Sequence, residues 1–379
     1  MSMVEQAVVR SDVLQDVRRL VLKLGTRVVT VHDNELDRTF IDRVAREVSD
    51  LMKEGYQIGI VSSGAVGAGM GRLGLKDRPM RIPELQATAA VGQGLLMNAY
   101  KLAFREYDVP IGQVLLTDDG LEDRWRYVNA KNTLDALFKF GAVPIINEND
   151  SVAVEENKVG DNDRLSSLVA HLVEAQLLVT YTTVDGLFTD DPTRSPGAEH
   201  IPIVETVTQE MIDAAGSAGS AVSLGGMRTK LQAAISVTRS GAAAVIADGR
   251  KASLRSILAG EDIGTLFLPT DDQIQGKKRW LANTRKKGVI VVDAGAARAL
   301  TEGGKSLLAS GIVRVEGEFD QEELIAVTDE TGGEIARGLV RYSASDVERI
   351  RGKRSDEIAQ ILGEKNSDAV IHRDDMVIL

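Results

Sequence analysis

From residue 20 to about residue 268, short apolar runs ending in glycine or polar turns alternate with segments whose apolar residues recur at helical spacing. Residues 20–26, 57–61, 111–116, 142–146 and 177–182 read as strands. Residues 40–54 carry Ile41, Val44, Val48 and Leu51 on one helical face and close at Gly55, and 83–104 and 127–140 read as further helices. Such alternation predicts an α/β fold, a mostly parallel sheet with helices on both faces. Ligands of open α/β sheets bind outside the carboxyl ends of the strands. The residues that follow each strand are therefore the first candidates for chemistry.

The richest of these places is 147–166. Asn147, Asn149 and Asp150 follow the fourth strand, and Asp161, Asn162 and Asp163 crowd the start of the next helix. Helix capping accounts for one such side chain but not for the whole set. The first strand holds Lys23 among leucines and valine, followed by Gly25. A buried ammonium needs an anion, and a phosphate beside Gly25 is the natural one. After the second strand, Ser62-Ser63-Gly64-Ala65 offers backbone N–H groups at a helix start. Gly225-Gly226 does the same before Met227-Arg228-Thr229-Lys230. Two lysines give the cationic cover that phosphoryl transfer requires.

Two other glycine patterns carry no such weight. Gly69-Met70-Gly71-Arg72-Leu73-Gly74 spells a dinucleotide fingerprint but does not directly follow a strand, and no acid stands about twenty residues on. Gly303-Gly304-Lys305-Ser306 lacks the first glycine of a phosphate loop, Ala299 standing in its place.

With 379 residues, 43% of them hydrophobic, the chain can build two or three domains. It has no cysteine, which excludes thiol chemistry, and its four histidines show no metal or catalytic spacing. Residues 1–18 form an N-terminal extension without the apolar core of a signal peptide, and no run reaches membrane length, so a cytoplasmic protein is expected. Pro269-Thr270-Asp271-Asp272 marks a linker over 269–276. Beyond it, strands at 288–293, 312–315 and 323–327, with a turn at 330–334, predict a small, mostly β module over 277–379. From residue 277 onward, 17 Lys and Arg face 18 Asp and Glu, so nearly all of the net charge of −11 lies in the body. That balance argues against a surface built to hold RNA.

Residues 19–268 resemble the amino acid kinase family and, within it, the glutamate 5-kinases. The resemblance rests on Lys23-Leu24-Gly25-Thr26, Ser62-Ser63-Gly64-Ala65, Asn147-Glu148-Asn149-Asp150, Gly160-Asp161-Asn162-Asp163 and Gly225-Gly226-Met227-Arg228-Thr229-Lys230, in the family's order. The tail resembles a PUA domain. The resemblance implies a three-layer sandwich followed by a β-rich PUA-like barrel. It also implies ATP- and Mg²⁺-dependent phosphorylation of the side-chain carboxylate of L-glutamate, the opening of proline biosynthesis, with proline as a feedback inhibitor. By the same resemblance Lys23, Lys230 and Asp163 are catalytic, with Asp163 holding the lysines, and Ser63, Asp150, Asn162, Asp161 and Asn147 bind glutamate. ATP would lie against Lys23, Thr182, Thr183, Leu224, Gly225, Gly226, Met227, Arg228, Thr229 and Lys230. A homo-oligomer, dimer or tetramer, and contact with glutamyl phosphate reductase also follow from the resemblance.

The chain departs from the family pattern at Thr183, where aspartate is common, and at Leu224, where threonine is common; both positions are on the nucleotide side. Rival readings are an acetylglutamate or aspartate kinase and an RNA-binding protein with a vestigial kinase body. An acylated amine could not use Asp150 as a counter-charge, and the near-neutral tail disfavours the RNA reading.

Overall fold

The computed structural model describes residues 3–31, 34–152, 162–190, 195, 197–217, 226–270, 286–321, 323–363 and 367–379. The chain divides into two compact units, Met1–Gln273 and Ile274–Leu379.

In the larger unit the elements run α1 (Met3–Leu14), β1 (Arg19–Leu24), α2 (Thr26–Val29), α3 (Arg38–Lys53), β2 (Gln57–Ser62), α4 (Ala65–Leu73) and α5 (Ile82–Arg105). Next come β3 (Ile111–Leu116), α6 (Asp118–Glu122), α7 (Arg124–Lys139), β4 (Val143–Glu148), α8 (Asn162–Leu172) and β5 (Leu177–Thr182). The short strands β6 (Leu187–Phe188), β7 (His200–Ile201) and β8 (Ile203–Val204) follow. The unit closes with α9 (Gln209–Ser217), α10 (Met227–Thr238), β9 (Ala243–Asp248), α11 (Leu254–Leu258) and β10 (Thr265–Phe267).

Eight strands form one sheet in the order β3-β4-β2-β1-β5-β9-β10-β8. All neighbours are parallel except β9 and β10. The chain leaves β1 toward β2 on one side and later returns to β5 on the other. The carboxyl ends of β1, β2, β4 and β5 therefore gather around the point where strand order reverses, the usual ligand crevice of such sheets.

Residue parity decides what faces that crevice. Side chains alternate between the two faces of a strand. On β1, Leu20, Leu22 and Leu24 join the core that contains α3 and α5 residues such as Val44, Val48, Leu96 and Phe104. Val21 joins the opposite core, with Leu165 and Val169 of α8 and Leu231 and Ala234 of α10. Lys23 shares the parity of Val21, so it is directed at the layer made by α8 and α10.

Local signals explain the helix boundaries. Asp37 accepts a hydrogen bond from the Phe40 backbone N–H and starts α3, whose apolar stripe Ile41, Val44, Val48 and Leu51 is buried. Gly64 sits at φ 109° between β2 and α4, a backbone conformation that side-chain-bearing residues rarely adopt. Gly92 on α5 lies so close to α4 that an added Cβ would fall 1.7 Å from the Ala65 carbonyl oxygen.

Helix α1 packs within the larger unit: Leu14 belongs to its core, and the fully buried Arg10 donates to the carbonyls of Pro202, Glu261, Ile263 and Gly264. That docking, and the edge formed by β10 and β8, have no local signature in the chain.

The smaller unit is a five-stranded sheet formed by β11 (Gly288–Val292), β12 (Ile312–Glu316), β13 (Leu324–Thr328), β14 (Glu334–Leu339) and β15 (Met376–Ile378). Among the described residues three α-helices accompany it: α12 (Ala294–Thr301), α13 (Ala344–Ile350) and α14 (Ile358–Leu362). Its turn between β13 and β14 is held by Asp329, whose carboxylate accepts from the Thr331 and Gly333 backbone N–H groups.

Candidate active site

At the crevice, β1 delivers Lys23, α8 delivers Asp163 and α10 delivers Thr229 and Lys230. The Asp163 carboxylate binds both lysines: one oxygen accepts from Lys23 and the other from Lys230 Nζ at 3.0 Å. Thr229 Oγ1 adds a hydrogen bond of 2.6 Å to the Lys230 side of the carboxylate. Lys23, Asp163 and Lys230 are 4, 2 and 6% exposed.

Burial alone would raise the pKa of Asp163. The nearby charges of Lys23 and Lys230, with hydrogen bonds from Lys23 and Thr229, outweigh it and hold the carboxyl at about 2. The result is one anion between two cations, a cluster with net positive charge at the mouth of a helix layer. Lys230 Nζ also donates to the Gly226 carbonyl, and Thr229 Oγ1 lies 2.9 Å from the same oxygen, which ties the start of α10 to the same cluster.

Beside the lysines lies a chain of amides and hydroxyls. Asn162, one residue before Asp163, donates through Nδ2 to Ser63 Oγ and Asn147 Oδ1, both at 2.9 Å, and the same nitrogen lies 3.4 Å from the Ser62 carbonyl. Asn147 Nδ2 in turn donates to Gln93 Oε1 at 2.8 Å. Beneath them, Ser62 Oγ donates to the Ser63 carbonyl, so the buried Tyr100 hydroxyl, 2.8 Å away, is the donor to Ser62 Oγ.

Asp150, at the end of the β4 loop, is buried, and that burial pushes its pKa up to about 6, partly offset by the charge of Arg78. Three polar atoms in this region are closed off from solvent without a hydrogen-bond partner: Asp150 Oδ1, Asn162 Oδ1 and Gln93 Nε2. Native proteins rarely leave such atoms unpaired unless something else is meant to meet them.

The structure thus brings Lys23, Asp163, Thr229 and Lys230 together in one cluster and Ser63, Asn147 and Asn162 in another. Thr182 closes β5, one strand over from Lys23, and is half-buried; Thr183 follows it and is exposed. Met227 and Arg228 open α10, half-buried and exposed respectively. Asp161, Leu224 and Gly225 lie outside the described residues.

Sequence reading missed Gln93, Tyr100, Arg78 and the role of Thr229 as a partner of Asp163. Nothing local marks Gln93, since α5 carries other amides at Gln86 and Asn98.

Among the described residues no group of three or more His, Asp or Glu side chains could hold a metal ion, and both oxygens of Asp163 are already engaged by lysines. An Mg²⁺ ion would arrive on nucleotide phosphates, its usual carriers. No described helix is long and apolar enough to cross a membrane.

Residues 18–248 match the amino acid kinase family and residues 288–362 the PUA domain. A glutamate 5-kinase of Moorella thermoacetica is 49% identical over 368 residues, 97% of each chain. One from Geobacter sp. (strain M21) is 50% identical over 372 residues, 98% of this chain and 100% of that one. Among solved structures, a carbamate kinase from Giardia lamblia bound to AMP-PNP shares the fold at TM-score 0.50 and 16% identity, covering 68% of this chain and 100% of its own.

Proposed function

The chain belongs to the amino acid kinase family and, within it, to the glutamate 5-kinases, and on that footing we propose that it transfers the γ-phosphoryl group of ATP to the side-chain carboxylate of L-glutamate. The observation that carries the reading is the clamp of Lys23 and Lys230 on Asp163. A carboxylate oxygen of glutamate forms a bond to the γ-phosphorus while the bond to the β,γ-bridging oxygen breaks, giving glutamyl 5-phosphate and ADP. The nucleophile is already ionised near pH 7, so the step needs no general base. It needs alignment and cover for negative charge spread over the phosphoryl oxygens.

Lys23 and Lys230 supply that cover, and Asp163 holds two like charges at the working distance. Ser63, Asn147, Asn162 and Asp150 form the glutamate pocket, with Asp150 as counter-charge to the substrate ammonium. ATP lies along Thr182, Thr183 and the start of α10 from Gly226 to Lys230. The working division of the chain is a kinase domain at 19–268, preceded by residues 1–18, then a linker at 269–276 and the PUA domain at 277–379.

Proline, which also presents a carboxylate and an α-amine, competes for the same pocket and acts as the feedback inhibitor. The protein works in the cytoplasm as a homo-oligomer, beside the glutamyl phosphate reductase that consumes its product.

Purified protein with Mg·ATP should phosphorylate L-glutamate and leave N-acetylglutamate and aspartate nearly untouched, as read by hydroxamate formation. Equal rates with the acetylated substrate would remove Asp150 from the role of ammonium partner.

A further inference from the structure

The chain of amides beside the lysines has a fixed polarity, and the direction it runs leaves one donor unused. The Asn162 nitrogen has Ser63 Oγ and Asn147 Oδ1 at 2.9 Å, and the Ser62 carbonyl, which can only accept, lies 3.4 Å away, so the nitrogen rather than the oxygen of the amide faces this side. The same nitrogen reaches Asn147, which must therefore present its oxygen. That choice leaves Asn147 with its nitrogen toward Gln93, which must accept through Oε1. The last atom in the series, Gln93 Nε2, is then a donor, and it is shielded from solvent with no partner. A backbone carbonyl at one end thus sets the hydrogen-bonding sense of a side chain on α5, 31 positions later in the chain.

Two other atoms without a partner, Asn162 Oδ1 within this series and Asp150 Oδ1 three positions after Asn147 in the chain, are acceptors. Two acceptors and one donor match the α-carbon end of an amino acid, whose ammonium donates and whose carboxylate accepts. The far end of the substrate has to lie at Lys23 and Lys230, where phosphoryl transfer takes place. Asn162 adjoins Asp163 in the chain, and Gln93 stands two amides further from the lysines. Resting on the glutamate reading above, we infer that Gln93 is a specificity-determining residue whose Nε2 donates a hydrogen bond to the α-carboxylate of the substrate.

The assignment separates two consequences of changing Gln93. Gln93→Leu removes the donor and also the acceptor used by Asn147. Gln93→Glu keeps an acceptor for Asn147 but turns an anion toward the substrate carboxylate. The test is a set of glutamate saturation curves at saturating Mg·ATP for the full chain and both variants, alongside inhibition by 4-aminobutyrate. That compound keeps the amine and the reacting carboxylate and lacks the α-carboxylate.

The glutamate KM should rise about tenfold in Gln93→Leu, the range for losing a hydrogen bond to a charged group, and further in Gln93→Glu. In both, kcat should stay within about threefold and the KM for ATP should be unchanged, because the bond is made in ground and transition state alike. Inhibition by 4-aminobutyrate should be unmoved in Gln93→Leu. An unchanged glutamate KM in either folded variant overturns the assignment. So does an equal loss of 4-aminobutyrate inhibition, which would mean that Gln93 acts only through Asn147. Should Gln93→Leu fail to fold, Gln93→Glu decides alone. A wild-type chain inactive toward glutamate would overturn the functional reading itself, a result distinct from an active wild type with unmoved variants.

Discussion

The two ends of the crevice are finished to different degrees. At the lysine end the carboxylate of Asp163 already binds Lys23, Lys230 and Thr229. At the amide end, Asp150, Asn162 and Gln93 each keep one buried polar atom without a partner. An electrostatic site pre-assembled before reaction does not have to reorganise during it. A recognition site with unmet donors and acceptors favours the molecule that satisfies them, because an analogue lacking a group leaves them unpaired. In the proposed reaction, that contrast puts transition-state stabilisation at one end and substrate choice at the other.

Breaking the lysine end should have the largest effect. Asp163→Asn keeps the shape and drops the anion between two buried ammonium groups. The expected loss is roughly 3 kcal/mol, about 10²-fold in kcat, with the glutamate KM little changed. Steady-state kinetics at saturating Mg·ATP measures it. The same change should lower thermal stability, since it strands two buried charges. The carboxyl of Asp163 is held at about 2 in the folded protein, below its unfolded value. Its contribution to stability is therefore present above the unfolded pKa and is lost as pH falls toward 2.

At the other end, Asp150→Asn should raise the glutamate KM roughly 30-fold, the scale of a charge-assisted hydrogen bond worth about 2 kcal/mol, and leave kcat within a few-fold. Asp150 also carries a pH signature, from a pKa shift opposite in sign to that of Asp163. Burial raises its folded pKa to about 6, so below that value the free protein holds it neutral and the ammonium loses its counter-charge. The profile of kcat/KM for glutamate should bend downward as pH falls through about 6. The bend should be absent in Asp150→Asn. A wild-type profile flat from pH 7 to 5 would remove Asp150 from substrate binding.

Smaller effects sharpen the contrast. Thr229→Val deletes one of the three bonds to Asp163 and should cost about 1 kcal/mol, roughly fivefold in kcat. A chain ending at Gln273, where the first compact unit ends, should fold and keep kcat within about twofold. A soluble, folded truncation without activity would show that the PUA unit completes the site.

The two ends also differ in how far they could be read from the chain. Lys23 was legible because a charged residue in an apolar strand needs an anion, and Asp163 because acids crowded a helix start. The mostly parallel sheet and the separate β-rich tail were legible from the alternation of strand and helix patterns and its break near Pro269. Gln93 was not legible, because an amide on a helix of alanines, glycines and leucines looks like any half-exposed polar residue. Its meaning comes from Asn147, 54 positions away, and from the direction of hydrogen bonds that begin at Ser62. Arg10 was hidden for the same reason, its four carbonyl partners lying some 190 to 250 positions downstream. Long-range pairing of polar groups leaves no period in a sequence.

Calorimetric titration of glutamate, without nucleotide, into wild type, Asp163→Asn and Asp150→Asn tests the division of labour most directly. The account predicts that Asp163→Asn binds glutamate within about twofold of wild type while Asp150→Asn binds at least tenfold more weakly. Loss of glutamate binding in Asp163→Asn with retention in Asp150→Asn would contradict it.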